Sequence, residues 1–370
     1  MIDKPNRQAS SPFDQAFSGG DRYRLRKEDN INILLTGASG FAGTHLTREL
    51  VQQGHQIHAI VRDENKFRSA LGENYADRVY IQKGDLLDPS AITNLKGQLA
   101  KLEDNFDVVI QTVGGGPLTS NRALAAGIFD LNYKTTTNLI RVLEDSGKLS
   151  STSLFVYFSS LAAMGMPESN GTRIHYDETS ACNPVLPYEQ AKFETEAFLK
   201  DFANKHKCKT VVLRFPQIYG GADDAFVKMA QLIRKGAFPV VRGKTGSLPL
   251  IHIRDVVGAT CAVIQSPGRI QENFEVFLLS EGSCPYSKIV ALVKTKYGHG
   301  RALQLPYSLI YLGISMVEGI FRFLGRPEPL NRRRLVSLTK DRVVDSAKFV
   351  KTFNFKFEEN VERFVASQLS

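Results

Sequence analysis

A tyrosine and a lysine one helical turn apart are candidates for acid–base chemistry. Tyr188 and Lys192 lie in residues 187–199, whose pattern predicts a helix, so residues four apart share a face. A tyrosine hydroxyl titrates at about pH 10, and a lysine ammonium one turn away favours the phenolate. Tyr188 is therefore predicted to be a general acid/base; the alternative is a packed tyrosine beside a solvated lysine. The same spacing from Tyr23 to Lys27 precedes the first predicted strand and is set aside as chance.

A serine at the end of a predicted strand supports this hypothesis. Ser160 follows the apolar run 154–158, and open α/β sheets bind their ligands at the carboxyl edge of the strands. A hydroxyl at that edge can donate a hydrogen bond to a substrate oxygen. Ser160, Tyr188 and Lys192 are thus the predicted catalytic residues.

The elements that must position these residues alternate between two patterns. Between residues 31 and 215, short apolar runs alternate with amphipathic stretches, which predicts parallel strands joined by crossover helices. The runs are continuously apolar, as in strands covered on both faces. We expect an α/β fold with a doubly wound parallel sheet. The predicted strands are 31–36, 56–61, 79–82, 107–113, 154–158 and 210–214, followed by 250–253 and 274–279.

A glycine-rich segment directly follows the first predicted strand. It reads Thr36-Gly37-Ala38-Ser39-Gly40-Phe41-Ala42-Gly43-Thr44 and leads into a helical pattern over residues 45–51. Glycines let the backbone turn sharply and approach a pyrophosphate, and the helix presents free N–H groups and a positive dipole end. Between a strand and a helix, this segment predicts dinucleotide binding and a Rossmann sheet. The predicted contacts are Gly37, Ser39, Gly40, Phe41, Ala42 and Gly43.

The end of the second strand indicates which dinucleotide is bound. An acidic residue there binds the ribose 2′-OH of NAD, whereas an arginine accommodates the 2′-phosphate of NADP. The strand ends at Arg62, and acids follow only from Asp63 onward, so we expect NADP(H), with NAD possible. The alternative is that Arg62 is a solvated surface charge. After the third strand, Asp85 and Leu86 are predicted to contact the cofactor, although Asp85 could instead cap the next helix.

Length and composition indicate a globular protein with more than one domain. The 370 residues are 42% hydrophobic and 23% charged, which excludes disordered, collagenous and disulfide-scaffold chains. Residues 1–30 are predicted to be a disordered polar tail, and 31–214 the dinucleotide-binding domain. Strands near 250–254 and 274–279 are expected to return to its sheet. The smaller C-terminal α/β substrate domain would comprise 215–248 and 281–370.

Several classes of site and location have no support in the sequence. The four cysteines form no Cys-x-x-Cys pair, so we expect no disulfide framework or zinc ribbon, and a reducing compartment such as the cytoplasm fits. No metal site is expected among the seven scattered histidines. The N-terminal segment lacks a signal-peptide core, and the apolar stretch 303–324 is too interrupted to span a bilayer.

Together these motifs resemble the extended short-chain dehydrogenase/reductase family, also called the NAD-dependent epimerase/dehydratase family. The likeness runs from Ile31 to about Phe357. The resemblance implies that a hydride passes between a nicotinamide and a substrate carbon, with Tyr188 transferring the proton. It also implies that Ser160 orients the oxygen, and that Lys192 holds the nicotinamide ribose, beside Tyr188. Further matching motifs are Asn132 in Asn-Tyr-Lys-Thr-Thr-Thr-Asn-Leu, Glu178-Thr179, Leu213-Arg214-Phe-Pro-Gln-Ile-Tyr-Gly220 and Ile251-His252-Ile-Arg-Asp255-Val.

Departures from the family pattern narrow the chemistry. The 4,6-dehydratases place an Asp-Glu pair after the active-site hydroxyl residue, where this chain has Leu161-Ala162. Epimerase-reductases carry a cysteine at the position of Ala162. Sugar 4-epimerases commonly have an acidic second-strand tip, and an arginine where this chain has Leu248. A plain dehydrogenase or ketoreductase is therefore favoured.

Substrate contacts are predicted on three segments. The run Gly114-Gly115-Gly116 after the fourth strand replaces the family's usual His-x-Ala-Ala, and it suggests close backbone approach and a mobile loop, or merely a flexible connection. Arg242 or Lys244 could bind a diphosphate, so nucleotide sugars are not excluded. The predicted substrate residues are Gly115, Gly116, Ser160, Gln217 and Arg242.

The C-terminal part looks most like the 3β-hydroxysteroid dehydrogenase-like and dihydroflavonol reductase-like branches, where apolar substrates are common. Residues 305–324 carry two apolar helical faces. These faces could belong to the domain core, form a lid over an apolar substrate, or contact a membrane surface. Residues 322–351 contain nine basic and three acidic residues, which favours weak association with anionic lipid. Nucleic-acid binding is not expected, because stacking aromatics and a recognition module are missing. A homodimer is possible.

The leading hypothesis is an NADP(H)-dependent oxidoreductase acting on a secondary alcohol or ketone of a lipid-like, polycyclic or glycosyl substrate. The alternative within the family is a nucleotide-sugar 4-epimerase or 4-ketoreductase. A different class is a non-catalytic, dinucleotide-sensing scaffold. Such a protein is expected to have lost at least one of Ser160, Tyr188 and Lys192, and all three are present.

Overall fold

A seven-stranded parallel sheet lies at the centre of the computed structural model, which describes residues 30–76, 78–116, 118–119, 121–166, 173–221, 224–244, 246–328, 331–367 and 369. The predicted polar tail lies outside these residues. The strands of the sheet are β1 (Asn32–Thr36), β2 (Gln56–Val61), β3 (Val79–Lys83), β4 (Val108–Gln111), β5 (Leu154–Ser160), β7 (Lys209–Phe215) and β11 (Phe274–Leu278).

The strand order makes the sheet doubly wound. It is β11-β7-β5-β4-β1-β2-β3, and every neighbouring pair is parallel. The chain therefore starts in the middle, at β1, and proceeds outward in both directions. Because β1 and β4 are neighbours, the crevice beyond their carboxyl ends is the place where such sheets bind ligands. The α/β prediction is confirmed.

Helices cover both faces of the sheet, and buried aliphatic and aromatic side chains fill the space on each side. Several helices begin at a side-chain cap: Asp63, Asp88, Asn121 and Asp224 each accept from backbone N–H groups of the first turn. The helices up to β7 are α1 (Phe41–Gln52), α2 (Glu64–Leu71), α3 (Glu73–Ala76), α4 (Pro89–Ala100), α5 (Arg122–Asn132), α6 (Lys134–Asp145) and α7 (Pro187–His206), with 3₁₀ turns at Leu149–Ser151 and Leu161–Met164.

The remainder of the chain builds three small sheets and further helices. The strands are β6 (Arg173–Tyr176), β8 (Gln217–Tyr219), β9 (Phe238–Val241), β10 (Ser247–His252), β12 (Gly282–Pro285), β13 (Ala302–Leu305) and β14 (Asp341–Val344). The helices are α8 (Ala225–Arg234), α9 (Ile253–Gln265), α10 (Tyr286–Tyr297), α11 (Tyr307–Phe323), α12 (Arg332–Thr339), α13 (Ala347–Phe353) and α14 (Val361–Ser367), with a 3₁₀ turn at Pro267–Arg269.

One predicted strand joins a different sheet. The run near 274–279 returns to the main sheet as β11, as expected. The run near 250–254 does not: β10 pairs in parallel with β8 and antiparallel with β12. Its polar backbone groups are thus paired within a separate three-stranded sheet, β12-β10-β8. β9 pairs with β13, and β14 with β6.

No helix within the described ranges is long and apolar enough to cross a membrane. The longest apolar helix of the C-terminal part, α11, has 17 residues. All four cysteines carry free thiols.

Candidate active site

The glycine-rich segment forms a tight turn between β1 and α1. Gly37 adopts φ +73°, a conformation that favours glycine, and its carbonyl accepts from the Gly40 N–H at 2.9 Å. Gly40 is the N-cap of α1 and accepts from the Thr44 N–H at 2.9 Å. The first turn of the helix, with Phe41 and Ala42, therefore opens toward the carboxyl edge of the sheet. Ser39 lies partly exposed in the same turn.

The turn fits a dinucleotide because it leaves no room for side chains. A Cβ at Gly43 would lie 2.1 Å from the Gly37 carbonyl oxygen, and a Cβ at Gly37 would lie 2.5 Å from the Thr112 Oγ1. The helix thus packs directly against the loop, so that backbone N–H groups at its N-terminus are available to a pyrophosphate. The predicted cofactor residues from Gly37 to Gly43 are brought together here.

The tips of β2 and β3 meet through an ion pair. Arg62 follows β2, is 72% exposed, and its Nη1 lies 3.9 Å from Oδ2 of Asp85 after β3. Asp63 is the N-cap of α2 and accepts from the Lys66 N–H at 3.0 Å. The acid that follows Arg62 is thus engaged with its own helix, while the Arg62 guanidinium faces solvent.

Asp85 does not cap the following helix. Its Oδ1 accepts from the Leu87 N–H at 2.9 Å, whereas α4 is capped by Asp88, which lies directly before Pro89. The alternative role considered for Asp85 is therefore wrong, because Asp88 is one residue from the helix start. Leu86 is buried, and its carbonyl accepts from the Asn138 amide at 2.7 Å.

The loop after β4 connects the glycine turn to the predicted catalytic lysine. The Thr112 hydroxyl donates to the Thr36 carbonyl at 2.7 Å, which holds the end of β4 beside the glycine turn. Two residues further on, a Cβ at Gly114 would lie 2.6 Å from Nζ of Lys192. Only a glycine leaves space for the lysine to lie there. The segment from Thr112 to Gly114 therefore contacts the glycine turn at one end and Lys192 at the other.

Lys192 is buried in an unusual environment for a cation. Its side chain is in α7, 2% exposed, with Nζ donating to the Phe158 carbonyl at 2.8 Å and lying 4.7 Å from the ring centroid of Tyr157. Burial lowers the pKa of Lys192 to about 7, and the Glu196 carboxylate opposes this shift. The structure thus holds an amine whose charge is sensitive to its surroundings at neutral pH.

Tyr188 lies in the first turn of α7, one turn before Lys192. It is mostly buried, and this burial raises the pKa of its phenol, while the hydrogen bond with the Ser160 side chain acts in the opposite direction. The expected lowering of this pKa by Lys192 is not observed, because the ammonium is directed at Phe158 and Tyr157 instead. Tyr188 therefore keeps its proton at neutral pH.

Ser160 is the last residue of β5 and shapes the turn that follows. Its Oγ accepts from the Ala162 N–H at 3.1 Å and caps the 3₁₀ turn Leu161–Met164. The hydroxyl proton remains for another acceptor. Ser160, Tyr188 and Lys192 are thus gathered at the carboxyl end of β5 and the start of α7.

Asn132 is a further candidate, for which the sequence analysis predicted no role. It is fully buried at the end of α5, where its Oδ1 accepts from the Gly115 N–H at 2.9 Å and its Nδ2 donates to the Gly115 carbonyl at 2.8 Å. Gly116 continues this loop with φ +124°. The amide therefore fixes the glycine-rich loop beside Lys192. The only sequence signal was its place in the Asn-Tyr-Lys-Thr motif.

A buried ion pair contacts the end of β5 through Ser159. Arg214 and Glu196 are both almost fully buried, with 2.6 Å between Nη2 and Oε2, and the Ser159 hydroxyl donates to the same carboxylate. The pair links α7 to β5 and β7. It therefore holds Tyr188 and Lys192 in register with Ser160.

Two predicted substrate residues lie on or next to strands of the small sheets. Gln217 is partly exposed at the start of β8, opposite Leu250. Arg242 is exposed after β9; its backbone N–H donates to the Leu305 carbonyl at 2.9 Å. Within the described part of the chain, no hydrogen bond or ion pair joins either side chain to Ser160, Tyr188 or Lys192. Leu248, where family epimerases carry an arginine, is buried on β10.

A doubly wound sheet with a glycine turn at its switch point, and a Ser, Tyr and Lys group beside it, defines a dinucleotide-dependent oxidoreductase. Residues 33–276 match the NAD dependent epimerase/dehydratase family, which is about two thirds of the sequence. The chain belongs to this family, and with it to the NAD-dependent enzymes of the extended short-chain type.

Curated relatives include a sterol dehydrogenase and sugar epimerases. The chain is 24% identical over 263 residues to a sterol-4-alpha-carboxylate 3-dehydrogenase, decarboxylating, from Dictyostelium discoideum, covering 70% of this chain and 74% of that protein. It is 27% identical over 194 residues to a bifunctional UDP-glucose 4-epimerase and UDP-xylose 4-epimerase from Arabidopsis thaliana, covering 50% of this chain and 51% of that protein. The chain spans about half the length of that epimerase.

Solved structures show the same fold at low identity. A UDP-glucose 4-epimerase from Thermotoga maritima with UDP-glucose superposes with a TM-score of 0.68 at 16% identity, covering 92% of this chain and 97% of that chain. The enzyme from Bifidobacterium longum, in complex with NAD⁺ and UDP, gives 0.66 at 19% identity, covering 91% and 97%. These similarities show the fold.

Proposed function

We propose that this chain is an oxidoreductase that moves a hydride between a nicotinamide and the carbon of a secondary alcohol or ketone in an apolar, lipid-like or polycyclic substrate. The observation that carries the proposal is the Ser160, Tyr188 and Lys192 group at the carboxyl end of β5. When bound, a nicotinamide dinucleotide supplies or accepts the hydride. The residues of the chain transfer the proton and orient the substrate oxygen.

Tyr188 is proposed as the proton donor in the direction of ketone reduction. Because burial raises the pKa of its phenol, Tyr188 is protonated at neutral pH and has a proton to give to a carbonyl oxygen. The Ser160 hydroxyl, beside the phenol, is proposed to donate to the same oxygen and orient it. In the oxidative direction Tyr188 would accept the alcohol proton as a phenolate, after its own proton has left, and Ser160 would orient the alcohol oxygen.

Lys192 is proposed to respond to the charge that develops on Tyr188. Its pKa of about 7 lets the amine take up a proton when a negative charge forms one turn away. It would also hold the nicotinamide ribose, since it lies beside Gly114, at the end of the segment that starts at the glycine turn.

NADP(H) is proposed as the preferred cofactor. The Arg62 guanidinium is exposed at the tip of β2, and its ion pair with Asp85 is long. The acid that follows, Asp63, caps α2 through its Oδ1. The site thus offers an exposed cation directly after β2, which suits a 2′-phosphate.

The apolar substrate class is proposed on the C-terminal part of the chain. The helix α11 carries exposed apolar side chains, and the residues after it contact the loop that follows Gly114–Gly116. The sterol dehydrogenase relative agrees with this class. We also propose that the protein acts in a reducing compartment such as the cytoplasm.

A second candidate is a nucleotide-sugar 4-epimerase or 4-ketoreductase, favoured by the fold shared with epimerases whose structures hold UDP-glucose or UDP. Against it, Leu248 stands in place of the expected arginine and is buried. A diphosphate would have to be bound by other residues.

A substrate panel tests the proposal directly. Purified protein with NADPH is offered sterol ketones and nucleotide-4-keto sugars side by side, and the loss of nicotinamide absorbance is followed. We expect turnover with an apolar ketone. Turnover with only the keto sugars, or conversion of UDP-glucose to UDP-galactose without net cofactor consumption, would support the second candidate instead.

A further inference from the structure

One face of α11 exposes a continuous row of large apolar side chains, which we call the α11 stripe: Leu309, Leu312, Met316, Ile320, Phe323 and Leu324. Met316 is 63% exposed and Phe323 is 91% exposed. The spacing of three and four residues places these side chains on one side of the helix. Isolated exposed apolar residues are ordinary, but a contiguous row of this length indicates contact with a partner surface.

The opposite face of the same helix is buried, so α11 is fixed to the body of the protein. Ile310 and Ile314 pack with Val241 and Leu335 in a small core of their own. One apolar face of the helix therefore lies in a small core, and the other is directed outward. The α11 stripe is therefore exposed to solvent on a helix that is anchored by its other face.

Cations lie at one end of the α11 stripe without exposed acids among them. Arg322 and Arg326 are both exposed. Glu318 is the one acidic residue of α11, and it is buried and paired with Arg332 at 2.9 Å. At the other end, the exposed rings of Tyr307 and Tyr311 stack at 6.1 Å. The exposed arginines therefore adjoin the C-terminal end of the α11 stripe, while the helical spacing places Tyr307 and Tyr311 on the other side of the helix.

We propose that the α11 stripe docks on the surface of an anionic lipid bilayer, with the apolar side chains in the interfacial region and the arginines at the headgroups. Helices with an apolar face and neighbouring cations bind in this plane without spanning the bilayer. A second copy of the chain is the other candidate occupant, and the sedimentation arm of the experiment below detects it.

The docked face is joined to the candidate active site through the turn after α11. The Asn121 amide donates to the Arg326 carbonyl at 3.1 Å. The Thr119 hydroxyl donates to the buried carboxylate of Glu328. Thr119 and Asn121 lie a few residues after Gly115, whose backbone is bonded to Asn132. A docked α11 stripe would therefore hold the glycine-rich loop near the bilayer, where a membrane-dissolved substrate would meet it. That delivery rests on the proposed function; the docking does not.

Flotation of the full chain with vesicles tests the docking. The vesicles are phosphatidylcholine alone or phosphatidylcholine with one-third phosphatidylserine, at low and high salt. We expect the protein to float with the anionic vesicles at low salt and to be released, at least in part, at high salt, because screening weakens the arginine contacts.

Two variants locate the contact. Met316→Gln with Phe323→Gln is expected to lower the vesicle-bound fraction at least tenfold, and Arg322→Gln with Arg326→Gln to remove the preference for anionic vesicles. The matched control is Tyr80→Gln with Leu232→Gln, two exposed apolar residues elsewhere on the surface, which should float like the native protein.

Two results would overturn the proposal. One is native protein that remains at the bottom of every gradient, including the case in which it sediments as a dimer that Met316→Gln with Phe323→Gln dissociates. The other is flotation that the variants at Met316 and Phe323 leave unchanged. Ketone turnover by a protein that does not float would leave the proposed function standing without the docking.

Discussion

Replacing Lys192 with methionine should remove activity and yet make the folded protein more stable at neutral and acidic pH. Lys192 is 2% exposed and its pKa is lowered by burial to about 7. Methionine has a similar length and no charge, so it removes the cost of placing an ammonium in a dry site.

The magnitude follows from the difference between the pKa of Lys192 in the folded and unfolded protein. From about pH 7 to 10.5 the unfolded chain carries a proton on this lysine that the folded protein has lost, so the free energy of unfolding of the native protein rises with pH. Below pH 7 the full penalty applies, on the order of 5 kcal/mol, and it fades as the pH approaches 10.5. Losing the hydrogen bond to Phe158 costs about 1 kcal/mol. Lys192→Met should therefore gain about 3 to 4 kcal/mol at pH 6 and almost nothing at pH 10.

Urea unfolding of the native and variant proteins at a series of pH values from 6 to 10 measures this difference without cofactor. Lys200→Met is the matched control, because Lys200 is exposed on the same helix and should change stability by no more than about 0.5 kcal/mol at any pH. A Lys192→Met variant that is less stable than the native protein at pH 6, or whose stability difference does not vary with pH, would refute the assignment of Lys192 as a buried, destabilising amine.

Three further substitutions test separate parts of the site. Arg62→Ala should weaken NADPH binding by about 1.5 to 3 kcal/mol and leave NADH binding unchanged, as measured by direct titration; equal affinities in the native protein would contradict the cofactor proposal. Gly43→Ala should abolish dinucleotide binding, because its Cβ would lie 2.1 Å from the Gly37 carbonyl oxygen, whereas Gly97→Ala, which has open space, should bind normally. Glu196→Gln should lower the free energy of unfolding by about 3 kcal/mol, because it leaves the buried Arg214 charge uncompensated; a change below 1 kcal/mol in chemical denaturation would show that the pair contributes little.

Local patterns predicted the parts of the site that are built from neighbouring residues. The glycine turn is determined by a strand, a run of small residues and a helix within one continuous segment, and it forms where it was expected. Tyr188 and Lys192 share a face of α7 because of helical spacing alone. The central strands were found because their runs are apolar throughout.

Contacts between distant segments could not be predicted in this way. The ammonium of Lys192 finds the Phe158 carbonyl and the Tyr157 ring on another element, so its effect on Tyr188 differs from the expected one. The sheet that β10 joins depends on its pairing with β8 and β12, which is a property of the whole topology. Periodicity found both faces of α11, but only the fold shows which of them is covered.

The central claim is that Tyr188 gives the proton that accompanies hydride transfer. It is tested by single-turnover reduction of the ketone identified in the substrate panel, at saturating NADPH, with the native protein and Tyr188→Phe. We predict a loss of about a thousandfold in the rate of hydride transfer, with NADPH affinity within a few-fold of native because the ring is kept. A Tyr188→Phe variant that transfers hydride at a near-native rate would contradict the account.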